Sequence, residues 1–429
     1  MGQHDLADTA GGTETTSRGG AVGLVAGIVA LLLVFKVPGT TLFPVLSLVL
    51  GLVLAPIVFR RLTTFQTGRL LMPLAIVALL NGVVLRLTVA PTVGTSGSLV
   101  TAATLAAWLV AVPLGVGLGW WAKDHLRPSD FVRLVVLGGL MSALLIEQPF
   151  SWKGNTGVYI TMLALALLPV QRVWLVRIVL TASALVSSVS DARFMSLIAI
   201  VVLISTFVGG RARAHIARHT LPWLVVIVVA LITLAQAALW AMRSGLLGPA
   251  IAARTIAQTA GGRSIVEGSR TEWAATMHLF EVHPWGFGLG EITNGGIARE
   301  AIAHVQAVGG DYTAQYFVVD VFGQRVDLHS IVADLWYHFG VAGVLFAAVA
   351  LVLLVGSLPK AIGLPAGSSA LVLFAVFTGV WDLFFSPMPE SDRLTLALLF
   401  GALTTSGHLA PRAALEIGMA SGPTSVRSR

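Results

Sequence analysis

Long apolar runs alternate with short polar connections along most of the 429-residue chain. A helix needs about 20 mainly apolar residues to cross the hydrocarbon core of a bilayer. Runs of this kind recur often enough to predict an all-α polytopic membrane protein with about 12 transmembrane helices. The predicted spans lie near residues 20–37, 40–59, 69–89, 99–121, 130–149, 155–170, 172–190, 193–209, 220–241, 328–356, 366–386 and 391–409.

The composition also favours a membrane protein. Hydrophobic residues make up 56% of the chain and charged residues only 11%, and the mean hydropathy is +0.87. Ordinary soluble domains contain about 25% charged residues, so lipid is expected to cover much of this surface. These values exclude a soluble enzyme as the default interpretation. The absence of cysteine excludes disulfides, thiolate metal sites and cysteine nucleophiles.

The positions of the basic residues predict the orientation of the spans. With a cytoplasmic N-terminus, sixteen basic residues fall on inner segments, five on short outer connections and six in one long loop. This excess predicts that both termini are cytoplasmic and that the protein lies in the inner (cytoplasmic) membrane. The net charge of +7 then reflects topology, and no nucleic-acid partner is expected. The inner residues are Arg18, Arg60, Arg61, Arg69, Lys123, Arg127, Arg133, Arg172, Arg177, Arg211, Arg213, Arg218, Lys360, Arg412, Arg427 and Arg429; the outer ones are Lys36, Arg86, Lys153, Arg193 and Arg393.

One long polar segment divides the chain. Residues 242–327 connect spans nine and ten and are predicted to form a large, partly helical extracytoplasmic loop. Transmembrane helices 1–9 occupy residues 20–241, and helices 10–12 occupy residues 328–409. Residues 1–19 and 410–429 are predicted to be disordered cytoplasmic tails. The loop holds eight of the 20 acidic residues together with many aromatic residues, so chemistry is expected at the outer membrane face.

The loop contains a helix-start signal. Ser269-Arg270-Thr271-Glu272 predicts a capping box, with Ser269 as the N-cap and Glu272 as its reciprocal partner. The helix would run to about Val282 and end before His283-Pro284. A guanidinium from Arg270 beside the free N–H groups of the first turn would suit a phosphate group. The alternative is that Arg270 is solvated or paired with Glu267.

A glycine-rich stretch follows this helix. Pro284-Trp285-Gly286-Phe287-Gly288-Leu289-Gly290 lacks the strand and helix that surround a dinucleotide-binding fingerprint. It predicts a tight turn whose backbone passes close to a neighbouring segment or a substrate. Residues 296–307 predict a short amphipathic helix at the membrane interface.

The start of span ten carries a candidate proton acceptor. Asp327 is expected to cap the helix and to leave His329 in its first turn. The positive end of the helix dipole favours a neutral imidazole, which suits a general base. The alternative is a structural histidine at the interface.

Charged side chains at membrane depth are the remaining candidates, because each is costly in lipid and usually faces a cavity or a partner. Arg193 lies at the outer end of span eight, and Asp382 lies in span eleven. Asp334 and His338 are four residues apart in span ten and therefore share a helix face. These groups form either a functional site or a structural ion-pair network.

Four motifs share the order and spacing of one known family. They are Ser190-Asp191-Ala192-Arg193-Phe194, the loop stretches Gly268–Trp273 and His283–Gly290, and His329-Ser330 followed by nine residues and then Gly340 and Gly343. With twelve spans and a large outer loop between spans nine and ten, this pattern resembles the O-antigen ligase and polymerase superfamily. His283 stands where the family usually has asparagine.

The resemblance implies a glycosyltransferase that moves a glycan from a polyprenyl diphosphate to a hydroxyl of a glycan or glycolipid acceptor, without a metal or cofactor. Arg193 and Arg270 would bind the diphosphate, and His329 would accept the hydroxyl proton. Two outer cations suit a diphosphate leaving group. Further candidates for binding the diphosphate or glycan are Arg263, Trp273, Arg325, Asp334, His338 and Asp382.

Alternatives remain within and outside this class. A ligase and a polymerase use the same donor chemistry and differ in the acceptor. A transporter or flippase also fits twelve spans with intramembrane charges, although the 242–327 loop breaks the symmetry of two halves that carriers often show. A non-catalytic scaffold gives no reason for outer Arg and His residues at motif spacing.

Overall fold

The described part of the chain is almost entirely helical. A computed structural model describes residues 20–36, 45–64, 68–146, 152, 154–169, 171–190, 192–246, 248–259, 271–307, 314–388 and 392–406. Its helices are α1 (Ala21–Leu32), α2 (Val45–Val53), α3 (Ala55–Leu62), α4 (Gly68–Thr88), α5 (Ala90–Val93), α6 (Leu99–Lys123), α7 (Pro128–Ile146), α8 (Asn155–Leu167), α9 (Val173–Val189), α10 (Arg193–Ser205), α11 (Gly210–Arg218), α12 (Thr220–Arg243), α13 (Pro249–Gln258), α14 (Glu272–Val282), α15 (Gly295–Ala307), α16 (Ala314–Tyr316), α17 (Ile331–Gly363), α18 (Ala366–Phe385) and α19 (Asp392–Thr405), with a π-helix at Phe317–Val321. Strands β1 (Ser96–Gly97) and β2 (Glu291–Ile292) pair antiparallel, with Ser96 opposite Ile292.

Five of these helices, α4, α6, α7, α17 and α18, are long and apolar enough to cross a bilayer. A sixth candidate span combines α10 with Gly210–Ile216, and its two parts are bent by 110°. These helices support a multi-pass membrane protein. Each of the twelve predicted spans contains at least one helix, but α1, α8 and α9 are shorter apolar helices. Twelve crossings therefore stay a prediction.

The second predicted span differs from the structure because it is two helices. α2 ends at Val53 and α3 begins at Ala55, with Pro56 in its first turn. Proline has no N–H group and its ring clashes with the preceding turn, so it is best accommodated at a helix start. The apolar run was long enough for one span, but Pro56 interrupts the helix.

Side-chain contacts between helix ends define the two ends of the helix bundle. At one end, which we call the site end, the Lys36 ammonium lies 3.0 Å from the Asp392 carboxylate, and Trp152 donates a 2.8 Å hydrogen bond to Ser187. The described residues between Glu272 and Ser330 lie at this end and contact the first turns of α17.

At the other end, which we call the basic end, Arg61 pairs with Asp124 at 2.9 Å, and Arg213 donates to the carbonyl of Leu364 at 2.8 Å. α17 begins at the site end and finishes here. Among the described residues, the only acidic side chains near these helix ends are Asp124 and Asp130. The basic residues near them are Arg60, Arg61, Arg69, Lys123, Arg127, Arg133, Arg172, Arg177, Arg211, Arg213, Arg218 and Lys360.

The long helix α17 is broken at Gly340, where φ is 60° and ψ is −149°. A break of this kind leaves carbonyl groups without helical partners, which is costly in the interior of a membrane protein. The Tyr337 carbonyl accepts hydrogen bonds from the backbone N–H groups of Phe287 (2.8 Å) and Gly288 (3.2 Å). The Phe339 carbonyl accepts from the Asn81 amide at 2.7 Å. Groups from outside α17 therefore satisfy the break.

The stretch Pro284–Gly290, which we call the glycine turn, enters the bundle beside this break. Gly286, Gly288 and Gly290 have φ values of 93°, 110° and 73°, which side chains with a Cβ rarely adopt. A Cβ at these positions would meet the backbone of α17, α4 and α6, respectively. The predicted tight turn is present, and its close neighbours are three helices.

The described helices between residues 272 and 321 do not stand apart from the bundle. They form an apolar core with the first turns of α17, so this part of the predicted loop packs against that helix. The shared core includes Ala275, Leu279, Ile302, Val305, Phe317, Trp336 and Tyr337. The helix predicted at residues 296–307 is confirmed as α15.

We expect Gly288→Ala to destabilise the protein. An added Cβ would lie 2.6 Å from the Arg86 backbone nitrogen, and the positive φ alone costs a residue with a side chain about 1–3 kcal/mol. Thermal unfolding of the purified protein in detergent measures the effect. Gly356→Ala is the matched control, because nothing lies within 4 Å of its added Cβ. Equal unfolding temperatures for the two variants would contradict the packing described here.

Candidate functional site

The C-terminal end of α18 brings three predicted motifs together. A helix leaves its last carbonyl groups without intrahelical partners, and α18 ends at Phe385. The Ser330 hydroxyl donates to the Leu383 carbonyl at 3.2 Å, and the Trp273 indole N–H donates to the Phe384 carbonyl at 3.2 Å. The residue after His329 and the start of α14 are therefore fixed to the same helix end.

Arg193 approaches this end from another direction. It is the first residue of α10 and is half-buried. Phe194, the next residue, stacks on Trp381 with ring centres 5.1 Å apart and an angle of 12° between the planes. Trp381 lies in the last turns of α18, so the motif around Arg193 is next to the turn that holds Ser330 and Trp273.

The start of α17 differs from the prediction. Ser330, and not Asp327, is the N-cap, and its hydroxyl accepts from the Ala333 N–H group. His329 therefore precedes the helix instead of lying in its first turn. Its φ is 51°, and it is the one residue other than glycine with positive φ in the described part of the chain. Such conformations are costly and are concentrated at functional sites.

Asp327 holds His329 in this conformation. Its carboxylate accepts from the His329 backbone N–H at 3.1 Å. The imidazole Nδ1 lies 3.3 Å from the Asp327 carbonyl oxygen and 3.4 Å from its carboxylate. Both of these oxygens are acceptors, so in the neutral imidazole they place the hydrogen on Nδ1 and the lone pair on Nε2. The ring is 28% exposed, and this tautomer is the one a general base needs.

Arg325 completes this group of side chains. Its guanidinium donates to the Asp327 carboxylate at 3.1 Å. The Arg325 side chain therefore neutralises the carboxylate that contacts His329. Its predicted role in binding the diphosphate or glycan stays a prediction.

Tyr316 lies near His329 and is bonded to Glu272. The Tyr316 ring centre is 6.2 Å from that of His329, and its hydroxyl donates to Glu272 at 2.6 Å. The helix start differs from the prediction, because α14 begins at Glu272 with Thr271 as its N-cap. Ser269, the predicted N-cap, lies outside the described residues, and the buried Glu272 side chain bonds to Tyr316.

Asp334 is a positioning residue in the structure. It is buried, and its two carboxylate oxygens accept from the backbone N–H groups of Leu328 (2.8 Å) and Met388 (2.9 Å). Leu328 directly precedes His329. Asp334 therefore ties the turn that carries His329 to the segment after α18.

His338 and Asp382 make contacts within the protein. His338 is buried, and its Nδ1 lies 3.3 Å from the Gly288 carbonyl of the glycine turn. Asp382 forms a two-point ion pair with Arg393, at 2.7 and 3.0 Å, and accepts from Ser386 at 2.6 Å. These contacts favour the structural alternative for both residues, because their polar groups join neighbouring segments.

Arg270 and Arg263 lie outside the described residues, as does Ser269. The described residue nearest to Arg270 in sequence is Thr271, at the N-cap of α14, and the one nearest to Arg263 is Thr259. Arg270 is three residues before Trp273, whose indole is bonded to the end of α18. Their predicted roles stay predictions.

The sequence did not predict two of the side chains that lie near His329. Asp327 was interpreted as a helix cap, although an acid two residues before a histidine is also the spacing that lets it bond the imidazole. Tyr316 had no sequence signal, because its position depends on the packing of α14 and the π-helix. Among the described residues, no group of three or more His, Asp or Glu side chains is arranged to hold a metal ion.

Comparisons of the chain with protein-family models, with curated proteins and with solved structures found no match.

We expect Asp334→Asn to lower the stability. The amide offers one acceptor oxygen in place of two, so one buried backbone N–H group loses its partner at a cost of about 1–3 kcal/mol. Thermal unfolding in detergent is the measurement. Asp320→Asn, on an exposed position of the π-helix, is the matched control and should unfold like the wild type. An unchanged unfolding temperature for Asp334→Asn would show that its two bonds are dispensable.

Proposed function

We propose that the protein is a membrane glycosyltransferase that joins a glycan from a polyprenyl diphosphate to an acceptor hydroxyl, in the manner of the O-antigen ligases. The observation that carries this proposal is the meeting of the motifs around Arg193, Trp273 and His329 at the C-terminal end of α18. These motifs are distant in sequence, and together they supply cations and a proton acceptor.

The proposed donor site uses arginine for the diphosphate. Guanidinium groups bind phosphate oxygens through two parallel hydrogen bonds and stay charged in low-dielectric surroundings. Arg193 and Arg270 stabilise the negative charge that grows on the diphosphate as the glycosidic bond breaks. We propose no metal or other cofactor for this step.

The proposed acceptor site centres on His329. Its Nε2 takes the proton of the acceptor hydroxyl while the oxygen attacks the anomeric carbon. The bond from that carbon to the diphosphate oxygen breaks, and polyprenyl diphosphate leaves. The attack comes from the side opposite the leaving group, so the anomeric configuration inverts. The contacts of Asp327 with Nδ1 support this role, because they direct the lone pair to Nε2.

We also propose twelve spans with the site end on the extracytoplasmic face and both termini in the cytoplasm. The grouping of basic side chains at one end of the bundle supports this orientation, since cytoplasmic segments are rich in Arg and Lys. A polymerase is the alternative within the class, and the acceptor decides between the two. A carrier is the alternative outside it.

We expect Arg193→Ala and Arg270→Ala to reduce transfer at least about 100-fold, because each removes a charge that stabilises the leaving group. His329→Ala should reduce it about 10²- to 10⁴-fold. The assay follows lipid diphosphate release by purified protein given a lipid-linked glycan and an acceptor. Arg299→Ala is the matched control, because Arg299 is exposed on α15. Normal transfer by all three site variants, folded like the control, would refute the mechanism.

We expect Asp327→Asn to reduce kcat about 100-fold or more, with a smaller change in KM. The amide removes the negative charge that lies 3.4 Å from Nδ1 and would stabilise the imidazolium formed on proton transfer, while the backbone carbonyl at 3.3 Å remains. Asp327→Glu should restore part of the activity, since it keeps the acceptor. The pH dependence of kcat is measured for both variants, with Asp320→Asn as the control. A loss that is equal for both, with an unchanged pH profile, would assign Asp327 a structural role only.

A further inference from the structure

At the basic end, the chain turns sharply between α10 and α11. α10 ends at Ser205, α11 begins at Gly210, and the two parts are bent by 110°. α11 therefore runs across the end of the bundle instead of continuing the direction of α10. It connects α10 to α12, which begins at Thr220.

Two arginines hold this bend in place. Arg213 is only 7% exposed and donates to the carbonyls of Ser205 (3.0 Å), Val208 (2.8 Å) and Leu364 (2.8 Å). Arg177 donates to the Thr206 carbonyl at 3.2 Å. These cations satisfy carbonyl groups at the C-terminal ends of α10 and α17, where a positive charge is favourable. The direction of α11 is fixed by these bonds.

α11 has a buried face and an exposed basic face. Arg213 and Ile216 are buried against the bundle. At 100° per residue, Arg211, His215, Arg218 and the following His219 fall within an arc of about 100° on the opposite side. All four are exposed. We call these four residues the basic stripe.

No carboxylate of the described residues is paired with the basic stripe. The acids at this end have other partners: Asp124 pairs with Arg61 and Lys123, and Asp130 lies 4.0 Å from Arg133. The charge of the stripe is therefore directed away from the protein.

Aromatic side chains flank the stripe. Phe207, in the bend before α11, is 63% exposed. Trp223, in the first turn of α12, is half-buried, and its ring contacts His215 edge-on with centres 6.2 Å apart. Tryptophan is enriched at the level of the lipid headgroups, which is where a helix that crosses the end of a span would lie.

We propose that α11 lies in the membrane interface and that the basic stripe binds the phosphate groups of anionic phospholipids. A helix in the interface plane with arginine on its polar face is attracted to anionic headgroups. The proposal does not depend on the glycosyltransferase function. The expected partner is a lipid surface because the stripe follows the apolar helix α10 across a sharp bend and is flanked by aromatic residues.

The test uses the absence of native cysteine. A single Ala214→Cys substitution, at an exposed position beside the stripe, carries an environment-sensitive fluorophore. The purified full chain in detergent is titrated with short-chain phosphatidylglycerol and, separately, with short-chain phosphatidylcholine. We expect a saturable response to phosphatidylglycerol and none to phosphatidylcholine. A label at Ala307→Cys, exposed on α15, should respond to neither lipid.

Arg211→Gln combined with Arg218→Gln should raise the half-saturating phosphatidylglycerol concentration about 30-fold, since each basic residue near the surface contributes about a fivefold preference. Arg243→Gln with Arg299→Gln removes the same charge from exposed positions at the site end and should change it less than about twofold. Arg211→Lys with Arg218→Lys keeps the charge and should retain most of the response.

Three results would overturn the proposal. They are equal responses to the two lipids, an unchanged titration of the double glutamine variant folded like the wild type, and a response to polyglutamate without one to phosphatidylglycerol. The last result would assign the stripe to an acidic protein partner. If the glutamine variant does not fold, a lysine variant that loses the response would also contradict the proposal.

Discussion

Carbonyl groups that two helices leave unpaired hold the segment before α17 against the bundle. In the interior of a membrane protein no bulk water satisfies such groups, so other parts of the chain must do so. At the Gly340 break in α17, the partners are the glycine turn and Asn81. At the end of α18, the partners are the side chains of Ser330 and Trp273. Ser330 directly follows His329, so its bond to α18 fixes the chain beside the candidate proton acceptor.

The same constraint explains the composition of the motifs. Gly340 permits the helix break, and the three glycines of the turn permit its backbone to approach three helices closely. The two residues of the His-Ser pair have different roles: Ser330 caps α17 and bonds α18, while His329 stays outside the helix with its ring partly exposed. One short motif in the sequence therefore combines a structural residue with one whose side chain is left partly exposed. Asp334 supports both, because it bonds the backbone on either side of this junction.

Most of the helices could be predicted, because a helix that crosses lipid needs a long run of apolar residues. Such a run is visible in the sequence of the helix itself. The first residues of α17 and α14 could not be predicted, because side-chain contacts outside the helix-start pattern decide them. Ser330 is a better cap than Asp327 once Asp327 bonds His329. Glu272 bonds Tyr316, which is 44 residues away. The role of Asp382 was left open because its partner Arg393 belongs to the next helix. Hydropathy indicates where helices are and says little about which polar groups meet between them.

The two ends of the bundle have different chemistry. At the site end, His329 contacts Asp327, and the motifs around Arg193 and Trp273 meet the end of α18. At the basic end, many arginines and few acidic residues lie together.

Lipid diphosphate release by the wild-type protein, in liposomes supplied with a lipid-linked glycan, tests the proposed transfer most directly. We expect release only when an acceptor is present, with one diphosphate freed for each glycosidic bond; one glycan per acceptor indicates a ligase, and a ladder of products indicates a polymerase. Movement of the intact lipid-linked glycan across the bilayer without bond cleavage would contradict the account and identify a carrier.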